Sequence, residues 1–117
     1  MPTHVEVELD IFSGMPNPSW VLTAAEADAF EERLAGLPPS ASRSLSGQLG
    51  YRGFIVQMTS AAATRLVHVQ TGTVQISQAA KTAHFSDDAR GLERWLLQTG
   101  KPHLKQALFE VVERDLR

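Results

Sequence analysis

Imidazole and carboxylate groups held near one another can move protons, and this 117-residue chain spaces several of both regularly. In "HVEVELD" the polar positions alternate: His4, Glu6, Glu8 and Asp10 fall on one side of an extended chain, and Val5, Val7 and Leu9 on the other. A second alternating stretch, "RLVHVQTGTVQIS", presents His68 and Gln75 on its polar side. A carboxylate beside an imidazole stabilises its protonated form and lets it act as acid and then base. On that reading His68 is the acid/base, Asp10 its partner, and Arg52 or Asn17 the holder of an oxyanion. An antiparallel sheet with one wet face alternates in the same way without any chemistry. The pattern leaves three readings open: proton transfer, a ligand or partner surface, and a plainly solvated face.

Other reactive constellations are missing. The absence of cysteine removes thiolate nucleophiles, disulfides and cysteine metal sites. The histidines, His4, His68, His84 and His103, are isolated in sequence and lack the one-turn pairing of a helical zinc site. Only folding could gather His4, His68 and a carboxylate, so no metal and no other cofactor is expected. "SGQLGYRG" lacks the spacing and the lysine of a phosphate loop, and there is no G-x-S-x-G elbow. Asp10, Ser13 and His68 supply the residue types of a serine triad, but nothing in their spacing assigns the roles.

"DIFSGMPNPSW", Asp10 to Trp20, is the other stretch with functional content. Pro16 and Pro18 each fix their own φ and push the preceding residue toward extended geometry, so Asn17 is held between two stiff points. Its amide can cap a turn or face a ligand at little further cost in entropy. Trp20 can cover a large area and keep its indole N–H for a partner. The loop is thus either a rigid corner plugged by Trp20 or a preformed rim beside a binding face, with Ser13, Asn17 and Trp20 as contact residues.

"LDIFSGMPNPSW" (Leu9 to Trp20) together with "LGYRGFIV" (Leu49 to Val56) resembles segments of short uncharacterised bacterial proteins. The resemblance covers about a sixth of the chain and carries over no activity. What it implies is that both segments matter, which adds Tyr51 and Arg52 to Ser13, Asn17, Trp20 and Gln75 as binding candidates.

The elements that must position these groups follow from periodicity and turn chemistry. "HVEVELDIF", "SWVLT" and "YRGFIVQM" read as strands. "RLVHVQTGTVQIS" reads as a hairpin about Thr71-Gly72 that pairs Val69 with Val74, His68 with Gln75 and Val67 with Ile76. "KTAHF" is a short edge-strand candidate. "TAAE" is a capping box that starts a helix at Thr23, with Ala27, Phe30 and Leu34 as its buried stripe and Pro38 and Pro39 beyond its end. "LPPSASRSLSGQLG", residues 37–50, is a long polar connection, either a lid or a linker. "SDDARGLERWLLQTG" begins with capping residues at Ser86 to Asp88, places Leu92, Trp95, Leu96 and Thr99 on one face, and puts Gly100 where a left-handed residue ends a helix. Pro102 suits the first turn of a last helix with Leu104, Leu108, Val111 and Val112 as its stripe.

These elements predict one α+β domain over residues 1–117: a mostly antiparallel sheet of about five strands with three helices packed on one face. The formal net charge of −2 and the scattered basic residues exclude the basic stripe that nucleic acid requires. No leader-like apolar core or membrane-length apolar run occurs, so a cytoplasmic protein off the membrane is expected. The favoured function is a binding or assembly module. Its open sheet face and 13–20 loop contact a partner protein, a second copy in a homo-oligomer, or a small polar ligand. The alternative is a cofactor-independent cyclase, isomerase or lyase working through His68 and a carboxylate.

Overall fold

The alternating "HVEVEL" forms β1 (His4–Leu9), and after the proline-bearing loop β2 (Ser19–Val21) returns antiparallel to it, with Val7 opposite Trp20. This computed structural model describes residues 4–42, 44, 45, 47 and 50–116. α1 (Ala24–Ala35) starts at the capping box. The Glu26 amide donates to Thr23 Oγ1 at 3.1 Å and the Thr23 amide to Glu26 Oε1 at 2.9 Å, so two otherwise orphaned N–H groups are satisfied. Ala27, Phe30 and Leu34 are its buried face, as expected.

A meander follows: β3 (Phe54–Thr59), β4 (Thr64–Gln70), β5 (Thr73–Gln78) and β6 (Lys81–Ser86). The strand order is β2-β1-β3-β4-β5-β6 and each neighbouring pair is antiparallel. Thr71 and Gly72 both take positive φ, +48° and +78°, as the tight hairpin requires, and the register is the expected one, with His68 opposite Gln75. The α+β class is as predicted, but the sheet has six strands rather than about five. "KTAHFS" pairs with β5 along its whole length, through a turn whose Ala79 sits at φ +52°. Alanine is not a residue that announces such a turn.

The start of the 37–50 connection lies along β6. Ser86 donates its amide to the Pro38 carbonyl at 2.9 Å and Ser40 donates to the His84 carbonyl at 3.0 Å. Pro38–Ser40 therefore cover one end of an edge strand that would otherwise offer free backbone groups. Arg43, Ser46, Gln48 and Leu49, which belong to the lid-or-linker reading, lie outside the described residues.

Two further helices complete the layer. α2 (Gly91–Gly100) follows a 3-10 turn over Asp88–Arg90, and α3 (Gln106–Asp115) follows another over Lys101–His103. Asp87 caps α2: its two carboxylate oxygens accept from the amides of Leu92 at 2.8 Å and Glu93 at 3.0 Å. The helices and the Val5, Val7, Leu9, Val56, Val67, Val69 face of the sheet share one core.

Three expectations are corrected here. Gly100 is not left-handed (φ −84°); a Cβ on it would lie 2.4 Å from the Trp20 ring, so glycine is required by that close approach. Pro102 belongs to the 3-10 turn, and α3 begins only at Gln106. Val111 is 46% exposed, whereas Phe109, outside the expected stripe, is buried with Val112. Among the described residues no helix is long and apolar enough to cross a membrane.

Candidate functional site

The two segments that stood out in the sequence meet in space. One rung past the β1–β3 pairing, the Asp10 amide donates to the Gly53 carbonyl at 3.0 Å and the Arg52 amide to the Asp10 carbonyl at 2.8 Å. Gly53 has φ +91°, and a Cβ there would lie 2.1 Å from the Val69 carbonyl oxygen, so only glycine lets the chain pass. This brings the Arg52 guanidinium onto Asp10 Oδ1, at 3.2 Å from Nε and 2.9 Å from Nη2. The same guanidinium donates to the Phe12 carbonyl at 2.9 Å and to Ser13 Oγ at 3.4 Å.

Asn17 works from the other side of the loop. Its Oδ1 accepts from the amides of Ile11 at 3.1 Å and Phe12 at 2.8 Å, while Nδ2 donates to Glu8 Oε2 at 2.8 Å and Asp10 Oδ1 at 3.3 Å. Asp10, Ser13, Asn17 and Arg52 are thus brought together, and they form a clamp. Both ends of the Asn17 amide are spent on the loop and the end of β1, and Arg52 is bound along Asp10 and Phe12. Neither is arranged to receive an oxyanion, which needs donors aimed at open space.

His68 and Asp10 do not meet. β3 lies between β1 and β4, and Ile55 stands between Glu8 and His68 in their shared row across the sheet. Two strand spacings, roughly 10 Å, separate those two backbones. His68 lies half-buried on the helix-free face opposite Gln75, and among the described residues no hydrogen bond or ion pair joins it to a carboxylate. The acid/base pairing read from the alternation is therefore corrected: alternation put both groups on one face but could not set their distance. His4, on β1, is likewise separated from His68, and among the described residues no three His, Asp or Glu side chains gather as a metal site.

Two binding candidates prove to be core residues. Trp20 is 4% exposed; its indole N–H donates to Thr99 Oγ1 at 3.0 Å, and its ring stacks parallel to His103 with centroids 6.3 Å apart. It plugs the corner from the helix side and is not an exposed rim. Tyr51 is 6% exposed and its hydroxyl donates to Glu93.

Glu93 went unnoticed in the sequence and is fully buried. Arg90 donates to it from Nε at 3.0 Å and Nη2 at 2.8 Å, and the Gly72 amide adds a bond at 3.3 Å. Burial first, then the Glu93 carboxylate, push the Tyr51 phenol well above its ordinary range. The Glu93 hydrogen bonds likewise raise the Arg90 guanidinium against the opposing effect of its desolvation. The sequence cue was present: a glutamate beside Leu92, Leu96 and Leu97 on α2, one turn after an arginine.

Two concave surfaces are lined by residues other than His68. An open hollow of about 800 Å³ lies at the far β5–β6 hairpin, lined by Ile76, Gln78, Lys81 and Thr82 among others. An apolar groove of about 350 Å³ runs between the clamped loop and the start of α3, with Phe12, Met15 and Pro16 on one wall and Leu104 and Leu108 on the other. Compared with models of protein families, with curated proteins and with solved structures, the chain has no match.

Proposed function

We propose that this chain is a binding and assembly module that uses its helix-free sheet face, bordered by the 13–20 loop, to contact a partner. The observation that supports this most is the composition of that face. Ile55 sits half-buried at its centre, Val21 and Leu66 are 47% and 37% exposed, and Glu6, Gln57, Gln75, Ser77 and Thr82 surround them. Exposed β-branched and leucine side chains within a polar surround are the composition of a contact surface. Six strands, five of them of six or seven residues and β2 of three, span at most roughly 25 by 20 Å. Two such faces together cover at most about 1,000 Å², the lower bound for a specific interface. A second copy is the partner of first choice, because a self-complementary two-fold needs no other surface.

The charges on the face agree with that choice. Glu6 and Glu8 lie on β1, whereas His68 and His84 lie on β4 and β6, so a two-fold that crosses the sheets sets carboxylates against imidazoles. Sedimentation equilibrium at micromolar concentration tests this reading. A dimer is expected, reduced to monomer by Leu66→Asp. A monomer for the native chain, with no partner shifting the NMR signals of the sheet face, defeats it.

A further inference from the structure

We propose that the groove between the 12–18 loop and the start of α3 docks a short segment of a partner protein that carries apolar side chains flanked by carboxylates. This adds a second surface to the binding-module reading and depends on the loop and the start of α3, not on the sheet face.

The inference starts from what the clamp does to the loop. Asn17, Asp10 and Arg52 turn their polar groups inward, onto the loop backbone and one another. The outward wall is left to Phe12, Met15 and Pro16, and Met15 is 57% exposed. An exposed methionine on a rigid mount is a surface suited to varied apolar partners. The opposite wall is Leu104 and Leu108, which pack only partly against the core. The volume of about 350 Å³ falls in the range of ligand clefts, roughly 300–1,000 Å³, and suits a few apolar side chains.

Charge selects the occupant. The ionisable side chains lining the groove are His103 and Lys105, both exposed and both basic or neutral; no carboxylate lines it. His103 is held in place by its stacking on the buried Trp20 ring. A segment bringing carboxylates to the rim gains at Lys105, and one bringing lysines is repelled.

The test uses the full chain with two synthetic peptides of roughly 12 residues, the length of an average helix. Both carry the same leucine and phenylalanine positions, one flanked by glutamates and the other by lysines. Methyl NMR titration should show the glutamate peptide binding at least tenfold more tightly, with shifts at Met15, Leu104 and Leu108. Met15→Asp, at an exposed position, should abolish binding without changing the melting temperature. Lys105→Glu should reverse the preference between the peptides. No binding of either peptide, equal binding of both, or shifts confined to the sheet face each overturn the proposal. Leu66→Asp separates the two surfaces: the monomer it produces should bind the glutamate peptide unchanged.

Discussion

Tyr51 and Arg52 are adjacent in sequence and serve two opposite kinds of polar network. Tyr51 turns into the core and joins Glu93 and Arg90, where the carboxylate side chain is 0% exposed. Arg52 turns to the surface loop and joins Asp10 and Asn17, where the paired side chains remain 16% and 22% exposed. Both contain an arginine and a carboxylate at 2.9 Å or closer. What differs is the access of water, and that sets both the energetics and the use. The buried network ties the β4–β5 turn, through the Gly72 amide, to the start of α2 and is bound up with the fold. The surface network fixes the shape of a loop and leaves that loop's outer wall free for contact.

The sharpest way to break this comparison is to remove one arginine. Arg90→Met leaves a fully buried carboxylate with only the Tyr51 hydroxyl and the Gly72 amide. Stripping one partner from a buried ion pair costs about 3–5 kcal/mol, because the other charge stays desolvated. Urea unfolding should show a loss of that size. Arg90→Met with Glu93→Leu should recover most of it, since the stranded charge is then gone. A loss no greater than that of a loop variant would show that burial does not distinguish the two networks.

The buried network also has a pH signature. Tyr51 is the only tyrosine, so tyrosinate absorbance reads it alone. Its folded-state affinity for the proton is raised above that of the unfolded chain, whose phenol ionises near pH ~10. The stability this contributes is fully present below that pH and is lost as pH rises toward the folded-state value. Native protein should therefore keep its phenol protonated above pH ~10 while unfolding becomes easier. Tyr51→Phe should lack that component of the alkaline decline. Ordinary phenol titration in the folded chain would contradict the network.

For the surface network the expected effect is smaller and differently distributed. Asn17→Ala removes two acceptor and two donor contacts at a half-buried position. Water can replace part of them, so the cost should be about 1–2 kcal/mol. The loop between Ile11 and Pro18 should lose order more than the domain loses stability, read as faster amide exchange confined to residues 11–18. Cooperative unfolding of the whole chain at a similarly large cost would place this loop with the core.

Much of the fold was legible because its causes are local. The Thr23 capping box, the Thr71-Gly72 turn and the valine alternation each act within a few residues, and each formed as read. Ala79-Ala80 carries no turn residue, so β6 could be seen only weakly. Gly100 and Trp20 explain each other only across 80 positions of chain, and neither residue alone reveals the close approach. The clamp was half legible: the residues stood out, but their role as partners of one another depends on the chain at Gly53, next to Arg52, passing close to the Val69 carbonyl. Glu93 was hidden because a charged residue on a helix is by default read as solvated.

The smallest expected effect belongs to the residue that first drew attention. His68 lies half-buried in a row with Glu8, Ile55, Gln75 and His84, and it bonds to none of them. Removing a side chain that makes no specific contact costs within about 0.5 kcal/mol either way. His68→Gln keeps a polar side chain on the face and should leave urea unfolding of the monomeric Leu66→Asp background unchanged. In the native background the same substitution removes an imidazole that the proposed two-fold sets near a carboxylate. It should weaken association modestly. A His68→Gln variant that unfolds more easily as a monomer would mean that this histidine has a structural contact within its own chain. A variant that associates as tightly as the native chain would remove the histidine–carboxylate pairing from the interface and leave only the Val21, Ile55 and Leu66 patch to drive it.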